Sequence, residues 1–124
     1  GCGSGVLAIA AGLFGAKDID AVDIDPAAVE ATRANALANG VRLRAGDPAS
    51  VAGAYSLIVA NILATPLRLL APLLASHLDA GADLLLSGIL GAQAAEVREA
   101  YAPWLPLRVA QADDGWILMS GVRE

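Results

Sequence analysis

Residues 1–12 read GCGSGVLAIAAG, and the spacing of the glycines in this stretch decides the fold. A glycine-rich turn that runs into aliphatic residues at helical spacing normally follows a buried strand and opens a helix. In the dinucleotide fingerprint G-x-G-x-x-G the third glycine comes three residues after the second. After Gly1 and Gly3 that position is Val6, and Gly5 stands one residue early. The turn therefore speaks against a nicotinamide dinucleotide. It still lets backbone come close to a ligand, and the helix start at Ser4 and Gly5 offers N–H groups to an anion, carboxylate or phosphate.

Outward from the turn, helices and strands alternate. Val6, Ile9, Ala10 and Leu13 predict an inward helical face over 5–14, closed by Gly15. Residues 19–24 (IDAVDI) predict a strand. Asp25-Pro26 then supplies an N-cap and a proline at the first helical position, with Val29, Thr32, Ala36 and Leu37 facing in and Gly40 at the end. Residues 41–45 alternate, as a half-exposed strand does. Residues 55–60 (YSLIVA) are almost continuously apolar, as expected of a buried parallel strand. Thr65-Pro66 starts a leucine-rich helix to Gly81, 83–87 is a further buried strand, and 91–102 a helix with Ala94, Val97 and Tyr101 inward. Asp113-Asp114-Gly115 between 107–111 and 116–120 predicts an antiparallel hairpin. The earlier strands should be parallel. This order lacks one strand, which should precede Gly1 and lie mid-sheet.

The second clue is Asp23, 20 residues after Gly3, at the end of the next strand. A carboxylate there accepts hydrogen bonds from both hydroxyls of a ribose. Turn and acid together imply a nucleoside with an anionic tail, and S-adenosylmethionine has that shape. Asp25 competes for the ribose role, although capping before Pro26 accounts for it. Asp47 in AGDP either faces the adenine amine or caps the turn at Pro48. Asn61 ends a strand in VANIL, where ligands bind in parallel sheets, unless it only forms a turn. Cys2, Trp104 and Trp116 read as packing residues, and His77 as a residue at a helix C-terminus or on the surface.

Composition fits one domain with an aliphatic core: 124 residues, 56% hydrophobic, 4% aromatic and 17% charged. The eight Lys and Arg are scattered and the net charge is −5, so no nucleic-acid footprint is expected. The single cysteine rules out an intrachain disulfide and fits a reducing, cytoplasmic compartment. No apolar run is long enough to span a membrane, and 6–14 lacks the basic leader of a signal peptide. No metal-ligand cluster is evident.

The stretches GCGSGVLAIAA, AVDIDPAAVEATRANALANG, VANILATPL and LLLSGIL resemble the methyltransferase domain of the ribosomal protein L-eleven methyltransferases, the PrmA family. VANIL followed by LSGIL is the most specific part of the resemblance, which covers nearly the whole chain. It implies an α/β fold of the class I S-adenosylmethionine-dependent methyltransferases, Rossmann-like, a mostly parallel sheet with helices on both faces and a C-terminal antiparallel hairpin, its first central strand missing. Residues 1–124 would be a partial methyltransferase domain without the family's N-terminal substrate-recognition domain, monomeric when full length. The cofactor would be S-adenosyl-L-methionine and the substrate the lysine and N-terminal amines of a large-subunit ribosomal protein. Carried over, Gly1, Gly3 and Gly5 match the methionine-binding turn, Asp23 the ribose acid, Asn61 the residue at the active-site mouth, and Ser87 to Leu90 the loop after the following strand. Asn61 would take the catalytic role, its Oδ1 and the carbonyl of Asn61 or Ile62 accepting the amine's N–H bonds. Ser56 stands where the family often has Asp, and 47–54 is short. The chain alone is expected to be a poor enzyme. Rival readings are a glutamine-amide or small-molecule N-methyltransferase, an inactive fragment, and a nicotinamide-binding domain. Asn61-Ile62-Leu63-Ala64 in place of Asn-Pro-Pro-Tyr opposes the glutamine-amide enzymes.

Overall fold

The computed structural model describes all 124 residues. They form two compact units, Gly1–Ala52 and Gly53–Glu124, each with its own sheet.

In the first unit the glycine turn leads into α1 (Val6–Leu13), then β1 (Asp20–Val22), α2 (Pro26–Ala38) and β2 (Arg44–Gly46). β1 and β2 pair in parallel, Ala21 opposite Ala45. Asp25 caps α2, its Oδ1 accepting from Ala27 N at 2.9 Å, and Pro26 opens the helix. Gly15 and Gly40 follow α1 and α2 with φ of +109° and +67°, the left-handed backbone that glycine adopts without a Cβ penalty.

The predicted inward faces are narrower in the structure. Of the four positions on α1, Ile9 alone is buried, and Val6 and Leu13 are exposed. On α2, Val29, Thr32 and Ala36 are buried, whereas Leu37 is 84% exposed. A two-stranded sheet offers a helix little surface, so only the residues aimed at it are covered. The strand expected over 41–45 is shifted to 44–46.

The second unit contains β3 (Tyr55–Asn61), α3 (Ala64–Leu69), α4 (Ala71–Ser76), β4 (Leu78–Leu90), α5 (Ala94–Tyr101), β5 (Arg108–Asp113) and β6 (Trp116–Val122). The sheet order is β3-β4-β6-β5. β3 and β4 are parallel, and β6 is antiparallel to both β4 and β5. Asp114 and Gly115 turn the final hairpin with φ of +53° and +85°, the two positive values that a two-residue type I′ loop requires. Ile58 and Ala60 of β3, Leu84 and Leu86 of β4, and Ile117 and Met119 of β6 pack with Leu67, Val97 and Tyr101 into one aliphatic core.

Several expectations change here. The parallel pairings β1–β2 and β3–β4 and the final antiparallel hairpin are as expected; the addition is that β6 also pairs antiparallel with β4, so the strands are mixed, two in one sheet and four in the other. β3 is an edge strand, and Leu57 and Val59 are 45% and 41% exposed. Its apolar run marks a strand with two apolar faces, of which this structure covers one. The helix expected from Thr65 begins at Ala64 and is split at Leu70, the C-cap of α3 and N-cap of α4. Pro72 in the first turn of α4 has no N–H to continue the α3 ladder. Leu78, assigned to that helix, begins β4, which extends well beyond 83–87 at both ends. The helix expected over 91–102 is a 3-10 turn (Gly91–Gln93) followed by α5. Trp104 packs half-buried against the core, but Trp116 is exposed. No helix is long and apolar enough to cross a membrane.

Candidate active site

In the first unit the glycine turn is bound to the end of β1. Gly1 N and Cys2 N both donate to Val22 O, at 2.8 and 2.9 Å, and Gly5 N closes the turn on Cys2 O at 2.8 Å. Gly3 and Gly5 adopt φ of +55° and +84°. A Cβ on Gly5 would lie 2.8 Å from Thr32 Cγ2 and 3.0 Å from Thr32 Oγ1. Gly5 is therefore fixed both by backbone conformation and by want of space. It is also the N-cap of α1, and no side chain caps that helix. The first-turn N–H groups of α1 have no partner in earlier turns of their own helix, which suits an anionic group.

Asp23 is the partner of this turn. Its Oδ2 accepts from Gly3 N at 3.1 Å and its Oδ1 from Asp25 N at 3.0 Å, while its own N–H extends the β1–β2 pairing to Gly46 O. The side chain is 13% exposed. The N–H groups of Asp25 and Gly3 hold the carboxyl below its ordinary pKa, against the opposing effect of desolvation. It is a carboxylate at neutral pH, and each oxygen retains acceptor capacity beyond the one N–H it accepts. That is the chemistry a pair of vicinal hydroxyls requires.

Two side chains of α2 complete the turn and were not among the predicted site residues. Thr32, buried throughout, donates from Oγ1 to Gly3 O at 3.1 Å and contacts Cys2 Sγ at 3.2 Å. Asn35 Nδ2 donates to Ser4 O at 2.8 Å. Both bonds hold turn carbonyls toward α2. The available signal was two polar residues three positions apart on one helical face.

Asp47 lies past β2, in the same unit but outside this network. Its Oδ1 accepts from Ala49 N at 2.7 Å, capping the 3-10 turn Pro48–Ser50. Of its two readings, the structure displays the cap.

Asn61 belongs to the second unit, at the carboxyl end of β3 and opposite Ser87 of β4. Its side chain is exposed. Asn61 Oδ1 and Ile62 O both lie close against Gly88, so two acceptor oxygens are gathered at this strand end. His77 is the C-cap of α4, its Nδ1 2.6 Å from Gly53 O.

The family model of ribosomal protein L11 methyltransferase (PrmA) matches residues 1–124. The chain belongs to the PrmA family. Among curated relatives, the ribosomal protein L11 methyltransferase of Dechloromonas aromatica (strain RCB) is 52% identical over 124 residues, which cover 99% of this chain and 42% of that protein. That of Polaromonas sp. (strain JS666) is 61% identical over 119 residues, covering 96% and 40%. The chain thus spans about two fifths of the length of these PrmA relatives. The crystal structure of the ribosomal protein L11 methylase from Lactobacillus delbrueckii subsp. bulgaricus superposes with a TM-score of 0.92 at 37% identity, over 100% of this chain and 67% of that one. An RNA methyltransferase from Salinibacter ruber, solved in complex with S-adenosyl-L-homocysteine, is 23% identical with a TM-score of 0.73 over 99% and 76%, and shares the fold. The architecture is that of the class I methyltransferases, with a mixed sheet and a C-terminal hairpin.

Proposed function

We propose that this chain carries the methyl-transfer chemistry of an S-adenosyl-L-methionine-dependent protein methyltransferase, and that its substrate is ribosomal protein L11, modified on primary amines. The observation that carries the reading is the Asp23 carboxylate, bound through Gly3 N–H to the glycine turn in a chain of the PrmA family. In this reading Asp23 accepts the ribose hydroxyls, and the turn at Gly1, Gly3 and Gly5 receives the amino-acid carboxylate at the start of α1. Asp47, already capping its turn through Oδ1, has a second oxygen to offer an adenine amine. The bound cofactor supplies an electrophilic methyl on a sulfonium.

The residues of the second unit act on the amine. Asn61 Oδ1 and the carbonyl of Ile62 accept two of its N–H bonds and so direct the nitrogen lone pair. Positioning accounts for most of the rate in a displacement that needs little covalent help. No side chain is assigned as general base; desolvation lowers the pKa of the ammonium and solvent takes the proton. The full-length protein is proposed to act as a monomer in the cytoplasm.

The test uses the full-length protein, purified ribosomal protein L11 and S-adenosylmethionine labelled on the methyl group. Label should enter L11 amines, and Asn61→Ala should lower turnover by about 100-fold or more with little change in S-adenosylhomocysteine affinity. Absence of label from L11 overturns the substrate. Unchanged turnover in Asn61→Ala overturns the role of Asn61.

A further inference from the structure

We propose that Gly88 is a positioning residue for the amine site, an inference that rests on the reading of Asn61 given above. β3 and β4 run in parallel as far as the pair Asn61 and Ser87. At the level of that pair, the register of β4 against β6 shifts between Leu86 and Ile89. Such a bulge bends the strand and redirects what lies beside it. Within the shift Gly88 adopts φ +82°, which places its bare face against the end of β3. A Cβ at Gly88 would lie 2.6 Å from Ile62 O, 3.1 Å from Ile62 C and 2.9 Å from Asn61 Oδ1.

Those distances describe more than a tight turn. The two oxygens that the mechanism needs as a pair both reach one point, and that point is the empty volume where a side chain would begin. Ile62 O is main chain, so it moves only if the segment between β3 and α3 moves. Asn61 Oδ1 is the end of a side chain and yields by rotating away. Any L-residue at 88 therefore separates the two acceptors, in addition to straining its own backbone. A primary amine presents its N–H groups at fixed angles, so two acceptors orient its lone pair only while their spacing is held. The missing side chain of Gly88 holds it.

A glycine needed only for the bulge would lower stability and leave the chemistry of the folded fraction unchanged. A positioning glycine separates kcat from cofactor binding and loses its effect once Asn61 is gone. In the full-length protein, Gly88→Ala should lower kcat on ribosomal protein L11 by about tenfold or more while the S-adenosylhomocysteine Kd stays within about twofold. In an Asn61→Ala background the same change should cost less than about threefold, because coupled residues are not additive. Equal losses in both backgrounds, or an unchanged kcat in Gly88→Ala, overturn this inference alone. Unchanged turnover in Asn61→Ala overturns the Asn61 reading and this inference with it. If Gly88→Ala does not fold, Gly88→Asn is read in its place, since Asn tolerates the left-handed backbone with the same Cβ. If neither folds, the unsubstituted protein decides. With S-adenosylhomocysteine present, n-propylamine should shift the Asn61 side-chain amide and Gly88 backbone amide resonances together, and a silent Gly88 overturns the inference.

Discussion

The hydroxyl of Thr32 donates to the carbonyl oxygen of Gly3 at 3.1 Å, and the same side chain fills the space a Cβ on Gly5 would need. One residue of α2 thus holds the glycine turn by a hydrogen bond and limits its size by contact. The conformation of the turn depends on a helix that begins more than 20 residues later.

Thr32→Val keeps the shape and removes the donor. The part-buried bond to Gly3 O should be lost at a cost of ~0.5–1.5 kcal/mol, measured by urea denaturation of the full-length protein. Affinity for S-adenosylhomocysteine should fall with it, because the turn is released from α2. An unchanged midpoint and an unchanged Kd together would show that the bond is dispensable.

Gly5→Ala meets two obstacles, φ of +84° and the Thr32 side chain. Left-handed strain alone is worth ~1–3 kcal/mol in an L-residue. Adding Thr32→Ala removes the two nearest obstructing atoms, Cγ2 and Oγ1, but neither Thr32 Cβ nor the strain. The double variant should therefore be less destabilised than the sum of the two single losses. Simple additivity of the two losses would contradict the contact.

Asp23→Asn should weaken S-adenosylhomocysteine binding with little effect on Asn61-dependent steps, read by calorimetric titration. The pH dependence has a defined sign. Hydrogen bonds from Asp25 and Gly3 lower the carboxyl pKa in the folded state. Its stabilising contribution is thus complete above the unfolded value of about 3.9 and is lost as pH falls through the lower folded value. Between pH 5 and 8 binding should show no titration from Asp23, and a midpoint in that interval that vanished in Asp23→Asn would count against the assignment.

Tyr101→Phe tests the core of the second unit. The Tyr101 hydroxyl is buried and donates to Leu67 O at 2.7 Å, linking α5 to α3. The variant leaves that carbonyl without its donor, at a cost of ~1–3 kcal/mol. Burial pushes the phenol well above its ordinary pKa. The neutral form is favoured on folding, so this contribution is complete below the unfolded value of about 10 and declines as pH rises beyond it. Part of the alkaline loss of stability should disappear in Tyr101→Phe, and an identical alkaline profile in both proteins would refute the link.

Local chemistry was readable from sequence wherever a residue's role depends on its near neighbours. Asp25 before Pro26, the glycines at 15 and 40, and the hairpin at Asp114-Gly115 follow from caps and positive-φ turns, which involve only a few residues. The pairing of a glycine turn with Asp23 was legible from spacing, because one strand and its connections have a fixed reach. The order of helices and strands followed from the same alternation.

Long-range contacts decided the rest. Nothing near Leu37 or Leu57 in sequence distinguishes a covered aliphatic residue from an exposed one, since burial depends on which element lies opposite. The early start of β4 required its distant partner, since Leu78 pairs with Tyr55 rather than continuing a helix. Thr32 and Asn35 looked like ordinary positions on α2 until folding brought them against the carbonyls of Gly3 and Ser4. Gly88 lay within the LSGIL motif, but only folding set it against Asn61 Oδ1 and Ile62 O. The sequence by itself determined the caps, the turns, the family motifs and the candidate residues, because those are set by bonds between near neighbours. Only the tertiary structure decided which faces are buried, where the ladders end and what surrounds each candidate, because those depend on atoms that the chain brings together from distant positions.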